Sequence, residues 1–207
     1  MSNIKTIFWD FDGVIMNSNA VRDRGFEEVL KDYPQEQVNK LMTFHQKNGG
    51  LSRYVKFRYF FEEVRGESIT EEEVNSWAQK FSEIMLTSLN NKSLLIEEAV
   101  HFIKANYKDY NMHIVSGSDQ KELRFLNKEL GMSEYFISIH GSPTPKKQLV
   151  EDLISKHQYE LGNACLIGDS INDYEAAEHN GIAFYGYNNP ALSSLGVYVE
   201  SLQNYQL

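Results

Sequence analysis

The stretch TIFWDFDGVIMNS, residues 6–18, runs from an apolar segment into two carboxylates, Asp10 and Asp12, and then a glycine. A short run rich in Ile and Phe, closed off by acids, reads as a buried strand with its carboxyl end at the surface. Two acids that close together repel each other, so something positive must sit between or beside them. The fold depends on the segments that come after this strand, and the function on the source of the positive charge.

Further apolar runs of the same kind occur along the chain: MHIV (112–115), YFISIH (135–140), ACLIG (164–168), IAFY (182–185) and VYV (197–199). Helix-forming stretches over about 94–106, 118–131, 145–157 and 172–179 alternate with them. Strand alternating with helix predicts an α/β fold with a doubly wound parallel sheet. Residues 17–91 break the rhythm. They hold no convincing strand, only charged helical segments such as VRDRGFEEVLKDY, YVKFRYFFEEVRGE and TEEEVNSWAQKFSEIMLTSL. The last opens on Thr70 followed by Glu73, the pattern of a capping box. The expected organisation is therefore an α/β core over 1–16 and 92–207, with a small helical domain inserted over 17–91.

Composition narrows the function. The chain has 207 residues, 42% apolar and 24% charged, as expected for a soluble globular protein. A net charge of −9 argues against nucleic acid or an anionic membrane as partner, but not against an anionic substrate held by a few local cations or a metal. Cys165 is the only cysteine, so no intrachain disulfide can form. The N-terminus is unlike a secretory signal, and no run approaches the roughly 20 apolar residues of a membrane span. A cytoplasmic location is the resulting expectation. The six histidines are scattered, without metal-ligand spacing. Nothing in the chain sets an oligomeric state.

The residues after the other strands repeat the first pattern. Ser116-Gly117-Ser118-Asp119 offers a hydroxyl and backbone N–H groups to a phosphate oxygen, or else a plain helix cap through Ser118 or Asp119. In HGSPTPKKQLVEDLI (140–154), Lys146 and Lys147 fall in a first helical turn, where the helix dipole disfavours them unless an anion is near. One of the two is expected to be a solvated surface lysine. GDSIND (168–173) supplies a second acidic pair, Asp169 and Asp173, each explicable alone as a turn or first-turn residue. If these strands are neighbours, four carboxylates converge. At about 4 Å and an effective dielectric of 20, each pair repels by roughly 4 kcal/mol. An all-oxygen cluster of this kind favours a hard ion, Mg²⁺.

In this order, WDFDGV, the serine of IVSGSD, a lysine opening a helix and GDSIND resemble the haloacid dehalogenase-like (HAD) hydrolase superfamily. The helical insertion looks like the cap of the subgroup containing phosphoglycolate phosphatase and beta-phosphoglucomutase. The resemblance implies Asp10 as a nucleophile forming an aspartyl-phosphate, and Asp12 as general acid and then base. It implies Mg²⁺ held by Asp10, the backbone carbonyl of Asp12, and Asp169. Ser116 and Gly117 would bind phosphoryl oxygens, Lys146 would neutralise Asp10 and the phosphate, and Asp173 would orient the lysine or a metal-bound water. Lys146 is preferred to Lys147 for its spacing to Leu149-Val150.

The implied activity is a magnesium-dependent phosphatase acting on a small phosphorylated metabolite, a sugar phosphate or a phospho-acid. A phosphomutase of the beta-phosphoglucomutase type and a non-catalytic regulatory member are the alternatives. Asp12 is expected to have a raised pKa, as general acids do.

Within the insertion, FHQKNGGLSRYVKF (44–57) places Arg53 and Lys56 three apart on one helical face, either an anion-reading patch or a solvated face. Gly49-Gly50 permits a turn or hinge. Tyr54, Phe57 and Phe61 recur at helical spacing, as an interior does. Asn17, Ser18, Asn19 and Arg22 are placed at the cleft mouth without a catalytic role, and Tyr187 and Asn188 at its border.

Overall fold

The computed structural model describes residues 4–203 and 205–207. Six strands form one parallel sheet: β1 (Thr6–Trp9), β2 (Asn111–Asp119), β3 (Ser138–Ser142), β4 (Ala164–Gly168), β5 (Ala183–Tyr187) and β6 (Val197–Val199). Their order is β3-β2-β1-β4-β5-β6, which puts β1 in the interior between β2 and β4. Alternation along β1 sends Ile7 and Trp9 to one apolar cluster and Phe8 to the other. Helices α5 (Glu97–Asn106) and α6 (Gln120–Glu129) cover the first face through Phe102, Ile103, Leu123 and Leu126. Helices α7 (Lys146–His157) and α8 (Ile171–His179) cover the second through Leu149, Val150, Leu153, Ala176 and Ala177. The sheet is doubly wound.

One strand is displaced from its expected place. Ser133–Tyr135 forms a 3-10 turn instead of the start of β3, and Tyr135 packs edge-on to Tyr107 at 5.1 Å. The ladder with β2 begins at Ser138, opposite His113.

Between β1 and β2 the chain forms α1 (Asn19–Val29), α2 (Gln35–Lys47), α3 (Arg53–Tyr59), a π-helical turn (Phe60–Val64) and α4 (Glu71–Leu89). Thr70 and Glu73 close a reciprocal cap at the start of α4, with Glu73 N donating to Thr70 Oγ1 at 3.2 Å and Thr70 N to Glu73 Oε2 at 2.9 Å. Phe26 packs between Phe81 at 4.3 Å and Phe57 at 5.6 Å, tying α1, α3 and α4 together. This interior is continuous with the apolar cluster on the first face of the sheet. Among the described residues no helix is long and apolar enough to cross a membrane.

Candidate active site

Open parallel sheets expose their functional groups past the carboxyl ends of the strands. Asp10 stands there, one residue past β1, and its backbone N–H still donates to Ile167 O of β4 at 2.9 Å, which fixes its position. Lys146, the first residue of α7, directs Nζ to Asp10 Oδ1 at 3.1 Å and also binds Asp173. It is buried, whereas Lys147 is exposed. The two carboxylates offset the unfavourable place of a cation at a helix N-terminus. Asp173 has both roles open to it from sequence: one oxygen meets Lys146, while the other accepts from Ser170 N at 3.1 Å and caps α8.

Asp10, Asp169 and Asp173 bring one carboxylate oxygen each within 4.8 Å of one another. Burial, followed by the charge of Asp173, raises the pKa of Asp10 against the pull of Lys146. The same two causes push Asp169 up to about 7, despite a hydrogen bond from Asn19. Ionised, three carboxylates facing one ammonium carry an excess of two negative charges, which a divalent cation cancels. The donor set, oxygen only, suits a hard ion. Gly13 belongs to the same packing. Its φ is +75°, and a Cβ there would lie 1.9 Å from Asp169 Oδ2.

Asp12 faces elsewhere. Its Oδ1 accepts from Arg22 Nε at 2.6 Å and from Ser18, and its Oδ2 accepts from Ser118 Oγ at 2.5 Å. Burial pushes its carboxyl up, but the Arg22 charge and these hydrogen bonds more than offset that and hold it below the usual carboxylate range. The raised pKa expected for Asp12 is therefore corrected: α1 lays a guanidinium against it. Ser116 is buried beside it and accepts from Ser118 N at 3.1 Å. Asp119 caps α6 by accepting from Lys121 N at 2.9 Å and Glu122 N at 3.1 Å. Gly117 lies under the inserted segment, where an added Cβ would be 2.0 Å from Gly50 O.

A cavity of about 510 Å³ opens over these groups, with Asp10, Asp12, Ser116 and Asp169 on one side and Arg22, His45, Arg53 and Lys56 on the other. Lys146 and Asp173 stand behind Asp10 and do not line it. Arg53 and Lys56 are 3% and 4% exposed, so the solvated-face reading of that helix does not hold. Arg53 is bound by Glu122 through two bonds, at 2.6 and 3.0 Å, and donates to Ser82 Oγ at 2.6 Å. Glu122 also takes Arg22 Nη1 at 3.0 Å.

Tyr187 is not at the border; it donates to Glu98 behind the sheet at 2.5 Å. Asn188 does border the acid loop, donating to Gly13 O at 2.9 Å. His45, one of the scattered histidines, lines the cavity and pairs with Asp23 at 2.8 Å. The sequence reading missed Glu122 and Asn189, which donates to Asp169 O at 2.7 Å, and Ser118, read there only as a possible cap, binds Asp12 instead. The signal for Glu122 was present: it falls four residues before Leu126 and eight before Leu130, on the buried face of α6.

No curated protein sequence matches the chain. Solved structures do. Beta-phosphoglucomutase from Clostridium difficile is 14% identical and superposes with a TM-score of 0.78, covering 99% of this chain and 94% of that one. A predicted phosphoglycolate phosphatase from Haemophilus somnus is 22% identical, with a TM-score of 0.71 over 96% and 88%. The Bacillus subtilis HAD-hydrolase YfnB, whose structure is bound to magnesium, is 17% identical, with a TM-score of 0.69 over 95% and 93%. At these identities the likeness is one of fold. Residues 4–181 match the haloacid dehalogenase-like hydrolase family, and the chain belongs to it.

Proposed function

We propose that the chain is a magnesium-dependent phosphatase that hydrolyses a small phosphorylated metabolite through an aspartyl-phosphate. The observation that carries this reading is the convergence of Asp10 and Asp169, backed by Asp173 and Lys146, in a cavity also lined by Asp12 and Ser116. Asp10 and Asp169, with the backbone carbonyl of Asp12, would hold the ion. When bound, it screens the phosphate dianion from the approaching carboxylate. The magnesium of the Bacillus subtilis neighbour supports the choice of ion.

A carboxylate oxygen of Asp10 forms a bond to phosphorus while the bond to the leaving alcohol oxygen breaks, and Asp12 delivers the proton that oxygen needs. Water then attacks the phosphorus of the acyl phosphate, Asp12 takes its proton, and inorganic phosphate leaves with Asp10 restored. Ser116 and the backbone at Gly117 bind phosphoryl oxygens. Lys146 pulls Asp10 toward its ionised form, against the burial and the neighbouring acids that raise its pKa. Arg22 holds Asp12 as the carboxylate, its form as base in the second step, and its protonation for the first step requires that bond to open. Residues 17–91 act as a cap that supplies the far wall of the cavity and selects the substrate.

Phosphate release from a panel of phosphorylated metabolites tests the reading. Release with magnesium, lost on chelation and restored by adding the ion back, is expected. A panel that yields no phosphate with magnesium present overturns it.

A further inference from the structure

The start of α1 spends its polar side chains on the strand ends instead of on its own terminus. Ser18 stands at the N-cap, where a hydroxyl ordinarily accepts from the helix's unpaired N–H groups, yet it makes no such bond and donates to Asp12. Asn19, the next residue, goes to the other acid loop: its Nδ2 donates to Asp169 Oδ2 at 3.0 Å. Asn19 is exposed and lines the cavity. Gly13 crowds the same oxygen, since a Cβ there would come 1.9 Å from Asp169 Oδ2 and 2.9 Å from Asn19 Nδ2. The Oδ2 end of Asp169 is thus packed and hydrogen-bonded, while Oδ1 accepts no hydrogen bond among the described residues. Asp10 is in the same condition: its Oδ1 accepts from Phe11 N at 2.8 Å and meets Lys146 Nζ at 3.1 Å, and its Oδ2 is left over. Asp173 has both oxygens taken, by Lys146 and Ser170. A site that offers one oxygen from each acid suits Mg²⁺, which is octahedral and keeps several waters. Ca²⁺ takes about six to eight oxygens and often both from one carboxylate.

We propose that Asn19 is a positioning residue for the metal centre: by holding Asp169 Oδ2 it limits that carboxylate to one oxygen for the ion, and so favours Mg²⁺ over Ca²⁺. This inference rests on the phosphatase reading and gives the first helix after β1 a part in its metal centre. Asn19 acts through Asp169 and has no contact of its own with the phosphoryl group. Without the amide, the Asp169 carboxylate is free to turn and offer both oxygens, an arrangement that calcium uses and magnesium does not. Magnesium then also loses the orientation that a hydrogen-bonded ligand supplies.

The test follows the melting temperature against added Mg²⁺ and, separately, Ca²⁺, which gives an apparent affinity for each ion with no substrate present. The wild type is expected to prefer Mg²⁺. Asn19→Leu is close in size but lacks the donor. It should weaken Mg²⁺ and hold or raise Ca²⁺, so that the ratio of the two affinities falls by about tenfold or more. Asn19→Gln keeps an amide and should keep part of the ratio. The ion-free melting temperature of both variants should stay close to that of the wild type, since the position is exposed. An unchanged ratio in Asn19→Leu overturns the inference, even if both affinities fall together, and leaves the phosphatase reading standing. So does a wild type that binds the two ions equally. A wild type whose melting temperature answers neither ion also removes the inference, and phosphate release from the metabolite panel then decides the reading alone.

Discussion

The two sides of the cavity are built on opposite electrostatic plans. On the strand-end side, acids outnumber cations: Asp10, Asp169 and Asp173 share Lys146, and the carboxyls of Asp10 and Asp169 are pushed up. On the helical side, cations outnumber acids: Glu122 holds Arg22 and Arg53 together, and Lys56 forms no ion pair among the described residues but feels Asp12 and Asp23 from farther off. Each side is incomplete in the sense that suits a different part of one ligand set. A cation completes the first, and an anion completes the second. The difference separates residues that would hold a metal and react from residues that would select what reacts.

The largest expected effect lies on the acid side. Asp10→Asn keeps the shape of the side chain but removes the nucleophilic oxygen, and phosphate release should fall by about a thousandfold or more. Phosphate release close to that of the wild type would mean that the converging acids serve a purpose other than covalent catalysis. Next comes the hinge of the opposite side. Glu122→Gln leaves Arg22 and Arg53 buried without their shared charge, a change that should cost about 3 kcal/mol or more. Denaturant unfolding reads it directly. A loss well below about 1 kcal/mol would show that water or Asp12 already compensates those guanidinium groups, and the contrast between the two sides would weaken.

The two sides also differ in how far the sequence revealed them. Asp10, Lys146 and Asp169 each sit just past a strand end or open a helix, and Ser116 lies within β2 just past Val115, where its regular pairing with β3 is interrupted; in a parallel sheet such positions come together whatever the side chains between them. That is why loops far apart in the chain could be assigned to one site from their positions alone. The helical wall obeys no such rule. Helical spacing places Arg53 and Lys56 on one face, but it is silent on what that face meets, and the deciding neighbour, Glu122, comes from α6, a helix of the core. The misjudged state of Asp12 has the same origin: the residue that sets it, Arg22, comes from α1 of the insertion. The start of β3 was missed for a different reason, since an aromatic anchor at Tyr135 has the composition of a strand without its backbone.

The acid side makes a further prediction, of intermediate size, about pH. The folded-state pKa of Asp169, about 7, lies above its ordinary value of 3.8. Its contribution to stability is therefore fully present below the ordinary value and is lost as the pH rises through about 7. A magnesium ion at this site competes with that proton. The rise in melting temperature on adding magnesium should then grow from about pH 6 to about pH 8. Asp12, whose pKa is lowered, contributes the opposite slope, but it does so with and without the ion and cancels in the difference. An equal magnesium effect at both pH values would show that Asp169 holds no proton for the ion to displace.

The smallest effect decides between Arg53 and Lys56 as the reader of substrate. Ser82 accepts from Arg53 Nη1 at 2.6 Å, while Glu122 holds the same guanidinium through two further bonds. Ser82→Ala removes one of the three, and with the ion pair intact the loss should be about 1 kcal/mol. If Arg53 only supports the wall, that loss appears in unfolding, and the KM for phosphomonoesters stays where it was. If Arg53 moves to meet substrate, loosening it changes KM while stability barely responds. A shift in KM after Ser82→Ala would therefore give the selecting role to Arg53, and the cation side would have to be read as a latch that opens on binding.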